Sequence, residues 1–313
     1  MAVSKAIRGD LRKRDLHLWD GMSLAMEPSQ MSSILTNYGA MTALRTLKAI
    51  NGNLNDVQTS ISTGKRIGAA KDNSAVWAIS KTMEADISGF RSIKSSLALG
   101  EATVAVASAG AEQIVEKLTE IKELIVSAQS ENVDHDTIQT DITSKVDQIE
   151  AIISAAQFNG ANLLSTDVDG NGATSLGVLA SLDRSGAGGT VTSSEISVAS
   201  VNFDSSLDLA SNLTAITDST TAATALTEIE DFLQVAINGA ASLGSSASRI
   251  EDQSDFVGRL VDAMEQGVSA MTDTDMEEAS ARLSALKTQQ ELAIQSLTIA
   301  NQSPRLLLEL FRR

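Results

Sequence analysis

Residues 34–61, ILTNYGAMTALRTLKAINGNLNDVQTSI, carry the pattern that decides the fold of this chain. Their larger apolar side chains recur at steps of three or four residues, the spacing that places them on one side of an α-helix. They are Ile34, Tyr38, Met41, Leu44, Leu47, Ile50, Leu54, Val57 and Ile61. Helices with this period pack lengthwise on a partner, so the sequence predicts a long helix that needs one.

The C-terminal part of the chain repeats this pattern. Its apolar positions are Val257, Val261, Met264, Val268, Met271, Leu283, Leu286, Ile294 and Leu297. An amphipathic helix at a chain end cannot bury its apolar side alone. We therefore expect the two ends to bury theirs together or in a neighbouring molecule, which predicts an assembly protein.

Helical periodicity fills most of the remaining sequence. It runs to about residue 156, is bent by glycines in the segment 62–68, and includes a helix for which Asp136 is the predicted N-cap. Residues 166–221 are instead rich in Ser, Thr, Gly and Asp, and the alternations Ile196/Val198 and Val201/Phe203 predict short strands. The predicted fold is mainly α, a long antiparallel helical rod resembling a coiled coil, with a small β-rich central insert.

Composition argues against several functional classes. The formal net charge is −16, which disfavours a nucleic-acid partner because phosphate contacts need a basic surface. No stretch has the roughly 18 uninterrupted apolar residues that a membrane span requires. There is no cysteine, and the two histidines, His17 and His135, are too far apart in sequence to form a zinc-protease helix. We expect no enzyme, no catalytic or metal site and no cofactor.

One loop has the first half of a calcium-binding pattern. Residues 167–172, DVDGNG, place oxygen-bearing side chains at positions one, three and five and a glycine at position six. Position twelve, which should hold a bidentate Glu, is Val178. The pattern therefore favours an ordinary Asp/Asn/Gly turn over a calcium site.

Several motifs resemble those of bacterial flagellins. The run STGKRI at 62–67 and the run AKDNSA at 70–75 are similar to the family's LSSGLRIN and SAKDDAAGLAI, and AQFNG at 156–160 resembles its TQFNG. ANQSP at 300–304 resembles the start of the family's C-terminal motif, ANQxPxxxLxLxR. The resemblance covers about 31–165 and 222–313 and leaves the insert unmatched.

The resemblance implies a structural subunit that polymerises with itself into the flagellar filament. Flagellins leave the cell unfolded by type III export, without a cleaved signal, and assemble at the distal tip. The other implied partners are the flagellar cap, hook-associated proteins and an export chaperone, with no membrane insertion. The implied polymerisation residues are Ile34, Tyr38, Met41, Leu44, Leu47, Leu286, Ile294, Leu297, Leu308 and Phe311.

The implied organisation divides the chain into six parts. Residues 1–30 are a non-native extension, because Met31 is an alternative start and the pattern begins there. Residues 31–72 and 273–313 would be inner-tube helices, 73–165 and 222–272 the two halves of the helical rod, and 166–221 a variable β-rich surface insert. Two alternatives remain: a hook–filament junction protein, and an enzyme or calcium-binding adhesin carried by the insert.

A last expectation concerns detection by a host. Flagellins that are strongly detected carry a segment of the form QRVREL, read by a Toll-like receptor. The matching stretch here is Thr119, Glu120, Ile121, Lys122, Glu123 and Leu124. Ile121, Leu124 and Val126 are expected to keep the apolar register. Glu120 replaces the first arginine, which predicts weak receptor binding because a cationic donor becomes an anion.

Overall fold

A computed structural model describes residues 36–184 and 190–310, the last eight of them as backbone alone. The described chain forms two units. The terminal unit contains residues 36–63 and 275–310, and the central unit contains 64–274. Ile34 and Phe311 lie outside the described residues, as does the predicted extension 1–30.

The terminal unit consists of two long helices. Helix α1 spans Tyr38–Thr63, and helix α7 spans Met276–Leu310. The Asn37 side chain begins α1 by accepting a hydrogen bond from the N–H of Ala40 at 3.0 Å. Asp275 does the same for α7, where it accepts bonds from the N–H groups of Glu277 and Glu278. These side chains satisfy amide groups that the first turn of a helix leaves unpaired.

The central unit is built on two 54-residue helices, α2 (Ser74–Ser127) and α6 (Ser219–Thr272), which pack along each other in antiparallel directions. The ion pairs Lys122–Glu230 and Arg91–Glu265 join them at two levels. On α2 the buried contact residues alternate in steps of four and three: Ile93, Leu97, Gly100, Val104, Ala107, Ala111, Ile114, Leu118, Ile121 and Ile125. That is a heptad seam, the pattern of helices that supercoil around each other.

Three shorter helices and a hairpin cover this pair. Helix α3 spans His135–Ala155, strands β1 (Ser175–Arg184) and β2 (Val191–Ala199) form an antiparallel sheet, and α4 (Phe203–Ser206) and α5 (Leu209–Asn212) follow. The β1 strand packs so closely on α2 that a Cβ at Gly100 would lie 2.6 Å from Val178. Arg184 binds Asp86 of α2 through two hydrogen bonds of 2.5 and 3.2 Å. The hairpin is therefore fixed to the helices at both its middle and its tip.

The predicted fold class is confirmed: long helices from both parts of the chain, in antiparallel pairs, with a small β-sheet between them in sequence. Two local predictions were wrong. Asp134, not Asp136, is the N-cap of α3, because its carboxylate accepts the N–H of Thr137. Val201 and Phe203 do not form a strand. Val201 lies in the loop after β2, and Phe203, which is fully buried, is the first residue of α4.

No helix in the described part of the chain is both long and apolar enough to cross a membrane.

Candidate assembly surface

The terminal unit buries one side of each helix against the other. Two side-chain hydrogen bonds fix the pairing: Asn37 Nδ2 donates to the Ala300 carbonyl, and Gln290 Nε2 donates to Asn51 Oδ1, both at 2.7 Å. The buried residues between the helices are Leu54, Ala279, Leu286 and Ala293, with Leu47, Ile50, Val57, Ile61, Leu283 and Leu297 half-buried. The predicted stripes of Leu47 and Leu286 thus face each other within one chain.

Other predicted polymerisation residues face away from this contact. Tyr38, Met41 and Leu44 on α1 are 64%, 43% and 56% exposed, and Ile294 on α7 is 50% exposed. The expectation that Ile294 shares a side with Leu286 and Leu297 was wrong, because eight residues carry it about 80° further round the helix than Leu286. Leu308 lies in the part of α7 described by its backbone alone.

Two further exposed residues were missed by the sequence reasoning. Leu292 and Ile299 on α7 are 60% and 62% exposed. They break the three-and-four spacing of the inward stripe, and only their placement on a two-helix unit identifies them as part of an outer apolar surface. We call Tyr38, Met41, Leu44, Leu292, Ile294 and Ile299 the assembly surface. An apolar surface of this kind on a two-helix unit is typical of a protein–protein interface.

The segment compared with the receptor motif lies on α2. Ile121 is fully buried in the seam, whereas Lys122 pairs with Glu230 of α6. Glu120 is a third exposed and accepts hydrogen bonds from Lys117, at 2.8 Å, and from Lys145 of α3. The Lys117 ammonium, and after it that of Lys145, holds the pKa of the Glu120 carboxyl below its ordinary value.

One detail of that segment differs from expectation, and another was not predicted. Val126 is exposed, and Ile125 occupies the buried position instead, because the heptad seam takes every fourth and then third residue. Lys145 could not be foreseen as a partner of Glu120, since it lies 25 residues away on another helix.

The loop with the calcium-like pattern is held by its own backbone. The carboxylate of Asp167 accepts the N–H of Gly170 at 2.9 Å, and that of Asp169 accepts the N–H of Asn171 at 2.9 Å. Each carboxylate accepts the N–H two residues on, that of Asp169 for Asp167 and that of Asn171 for Asp169, which makes both of them Asx turns. Hydrogen bonds from the backbone of Asn171 and then of Ala173 lower the pKa of Asp169. Within residues 36–184 and 190–310, no cluster of three or more His, Asp and Glu side chains could hold a metal ion.

Comparison with known proteins finds matches over most of the chain. The family profile for the bacterial flagellin N-terminal helical region matches residues 34–169, and that for the C-terminal helical region matches 213–311. Over 288 residues, the chain is 38% identical to flagellin FljK of Caulobacter vibrioides and 39% identical to a flagellin of Brucella melitensis biotype 1. Each alignment covers 90% of this chain, and 99% and 100% of the two relatives respectively.

A crystal structure of Bacillus cereus flagellin aligns with 62% of this chain and 94% of its own, at 17% identity and a TM-score of 0.31, which is too low to carry an argument. The profile matches and the two relatives therefore decide the family, and none of them favours the hook–filament junction alternative. The chain belongs to the bacterial flagellin family and is a structural subunit of the extracellular flagellar filament, which serves swimming motility.

Proposed function

We propose that this flagellin polymerises by burying the assembly surface of α1 and α7 against neighbouring copies. The observation that carries the proposal is the exposure of six large apolar side chains on a two-helix unit. Leaving them in water is unfavourable by roughly 25 cal/mol for each Å² of apolar surface, and contact with another subunit removes that cost.

The proposal assigns roles along the chain. The segments 31–72 and 273–313 form the inner tube of the filament, the segments 73–165 and 222–272 form the outer tube, and 166–221 is the variable surface insert. The role is mechanical, with no enzymatic activity. The flagellar cap, the hook-associated proteins and an export chaperone are its further partners, and each would recognise the terminal segments before or at the end of assembly.

Substitution of an exposed leucine tests the proposal. Leu44→Glu places a carboxylate on the assembly surface, and burying it in a subunit contact would be costly. We expect Leu44→Glu subunits to form no filaments in negative-stain electron microscopy while keeping the circular dichroism of the wild type. Val191→Glu is the matched control, because Val191 is similarly exposed, at 46%, but lies on the hairpin.

The control variant should assemble normally. Filaments of normal length from Leu44→Glu would overturn the proposal, as would a loss of assembly that is equal in the two variants.

We propose as a second role weak detection by the host Toll-like receptor. Its support is Glu120, an anion at the place where the family motif has a cation, held beside Lys117 and Lys145. Reporter cells should respond weakly to wild-type subunits and more strongly to Glu120→Arg. Glu120→Gln is the control, because it removes the two ion pairs without adding a cation. Potent wild-type signalling that is unchanged in Glu120→Arg would contradict this role.

A further inference from the structure

The two flanks of the terminal unit differ in shape. One flank has a groove of about 350 Å³, lined by Tyr38, Gly39, Thr42, Ala43 and Thr46 of α1 and by Ala293 and Ser296 of α7. Apart from Tyr38, the lining side chains are small, so the groove has room for a side chain from outside.

The opposite flank carries two exposed aliphatic side chains, Leu44 and Ile294. Leu44 lies two residues after Thr42 and two residues before Thr46. At 3.6 residues per turn, residues two apart lie about 160° apart around a helix. Ile294 likewise lies two residues before Ser296, and therefore about 160° from it around α7. Both aliphatic side chains therefore lie on the side of the helix pair away from the groove.

The groove and the aliphatic side chains lie at one level of the helix pair. The bonds from Asn37 to Ala300 and between Asn51 and Gln290 show that residue numbers rise along α1 as they fall along α7. Between these two contacts, Leu44 comes level with about Ile294. Thr42 likewise comes level with about Ser296. The pair of Thr42 and Ser296 thus lies less than one helical turn from the pair of Leu44 and Ile294 along the axis. A copy placed beside the first can thus present its aliphatic flank directly to the groove.

We propose that Leu44 and Ile294 of one subunit insert into this groove on the next copy of the same chain. The inference rests on the proposed function and names its contact. A surface on one flank that fits a different surface on the other is a heterologous contact, which generates open helical polymers when its rotation does not close a ring. A second copy is the occupant because filament formation places copies of this chain side by side, and each copy carries both halves of the fit.

The absence of cysteine from the sequence makes a direct test possible. Thr42→Cys subunits are mixed with an equal amount of Leu44→Cys subunits, polymerised on sheared filament seeds and oxidised mildly with diamide. We expect disulfide-linked dimers in the filaments. The matched control replaces Thr42→Cys with Asn53→Cys. Asn53 is also exposed and lies eleven residues on, which is three turns, on the same flank but about 16 Å away along the axis.

The outcomes separate the inference from the proposed function. Filaments in which Leu44→Cys links to Asn53→Cys, or to itself, at least as well as to Thr42→Cys would overturn the inference alone. Filaments in which cysteines at 42 and 44 react with a maleimide as fast as in free subunits would overturn the proposed function too, because α1 would then be unburied.

A charge pair provides a second test that needs no oxidation. Thr42→Lys alone and Leu44→Glu alone should each prevent assembly, because each would bury a charge against an uncharged partner. The double variant places a lysine in every groove and a glutamate on every opposite flank, so filaments should return. A double variant that assembles no better than either single variant would contradict the proposed contact, provided that its circular dichroism matches that of the wild type.

Discussion

The terminal and central units contain similar long helices but bury them very differently. In the described terminal unit, the most buried side chains, such as Leu54 and Leu286, remain 7–8% exposed. In the central unit, α2 alone has a run of fully buried residues from Ile93 to Ile125. The difference is that α2 and α6 are covered further by α3, the hairpin and the short helices, whereas among the described residues α1 and α7 pack only on each other. The central unit thus buries the contact side of its long helices completely, whereas the terminal unit leaves the assembly surface exposed.

Removing the end of α7 should have the largest effect on this contrast. Deletion of residues 300–313 removes the carbonyl of Ala300 that binds Asn37 and leaves the first turns of α1 without a partner. We expect complete loss of filaments by electron microscopy, with the central unit still folded by circular dichroism. Normal filaments from this truncation would mean that the end of α7 has no part in assembly.

The fold class was predictable because it depends on periodicity, and periodicity is local. The heptad positions in the C-terminal part of α6 were predicted, from Val257 to Met271, but those in its N-terminal part were missed. Several of the missed positions are small residues that do not stand out as apolar: Ala222, Ala225, Ala236 and Gly239. Phe203 explains why position 239 is a glycine, because a Cβ at Gly239 would lie 2.5 Å from the Phe203 ring. Such close packing of a small residue against an aromatic one cannot be inferred from either helix alone.

The local errors have tertiary causes. Val201 looked like a strand residue, but its N–H donates to the carbonyl of Leu163, and the N–H of Phe203 donates to that of Leu164. These bonds join two loops, not two strands. Likewise, the exposure of Leu44 and Ile294 follows from the limited size of the two-helix unit, since a periodic stripe does not say how much of it one partner can cover.

Amide hydrogen exchange should separate the two units in the free subunit. Ordering a residue costs about 1–2 kcal/mol of conformational entropy, and the terminal pair has little buried surface to offset that cost. We expect amides of α1 and α7 to exchange orders of magnitude faster than those at the centre of α2, and we expect this difference to shrink in filaments. Equal protection of α1 and α2 in the free subunit would contradict the expected difference in stability between the two units.

Two truncations of large side chains should affect different properties. Phe203→Ala opens a cavity in the central unit and should lower its free energy of unfolding by about 3–5 kcal/mol. Leu44→Ala removes an exposed side chain, so its effect on unfolding should stay within about 0.5 kcal/mol. Denaturant unfolding of the free subunits measures both values. Filament assembly should show the reverse order, with a higher critical concentration for Leu44→Ala.

The reverse order is what distinguishes an interface residue from a core residue. If Leu44→Ala destabilised the free subunit as strongly as Phe203→Ala, Leu44 would belong to an intramolecular core. If Phe203→Ala raised the critical concentration more than Leu44→Ala, while remaining folded, the central unit would carry the main assembly contact.

The smallest expected effect is a pH dependence at the start of α6. The Asp218 carboxylate accepts the N–H groups of Thr220 and Thr221 at 2.9 and 2.8 Å. The bond from the backbone of Thr221 is the largest cause that lowers the pKa of Asp218. A lowered pKa in the folded state means that the cap stabilises the central unit above the ordinary aspartate pKa. This contribution is lost as the pH falls through the folded value.

Asp218→Asn isolates that contribution, because asparagine also caps helices but does not ionise in this range. At neutral pH the variant should unfold at a slightly lower temperature than the wild type. As the pH falls below about 4, its unfolding temperature should approach that of the wild type, because the wild-type carboxylate becomes protonated. A difference between the two proteins that stays constant from pH 7 to pH 3 would show that the charge of Asp218 does not contribute to the cap.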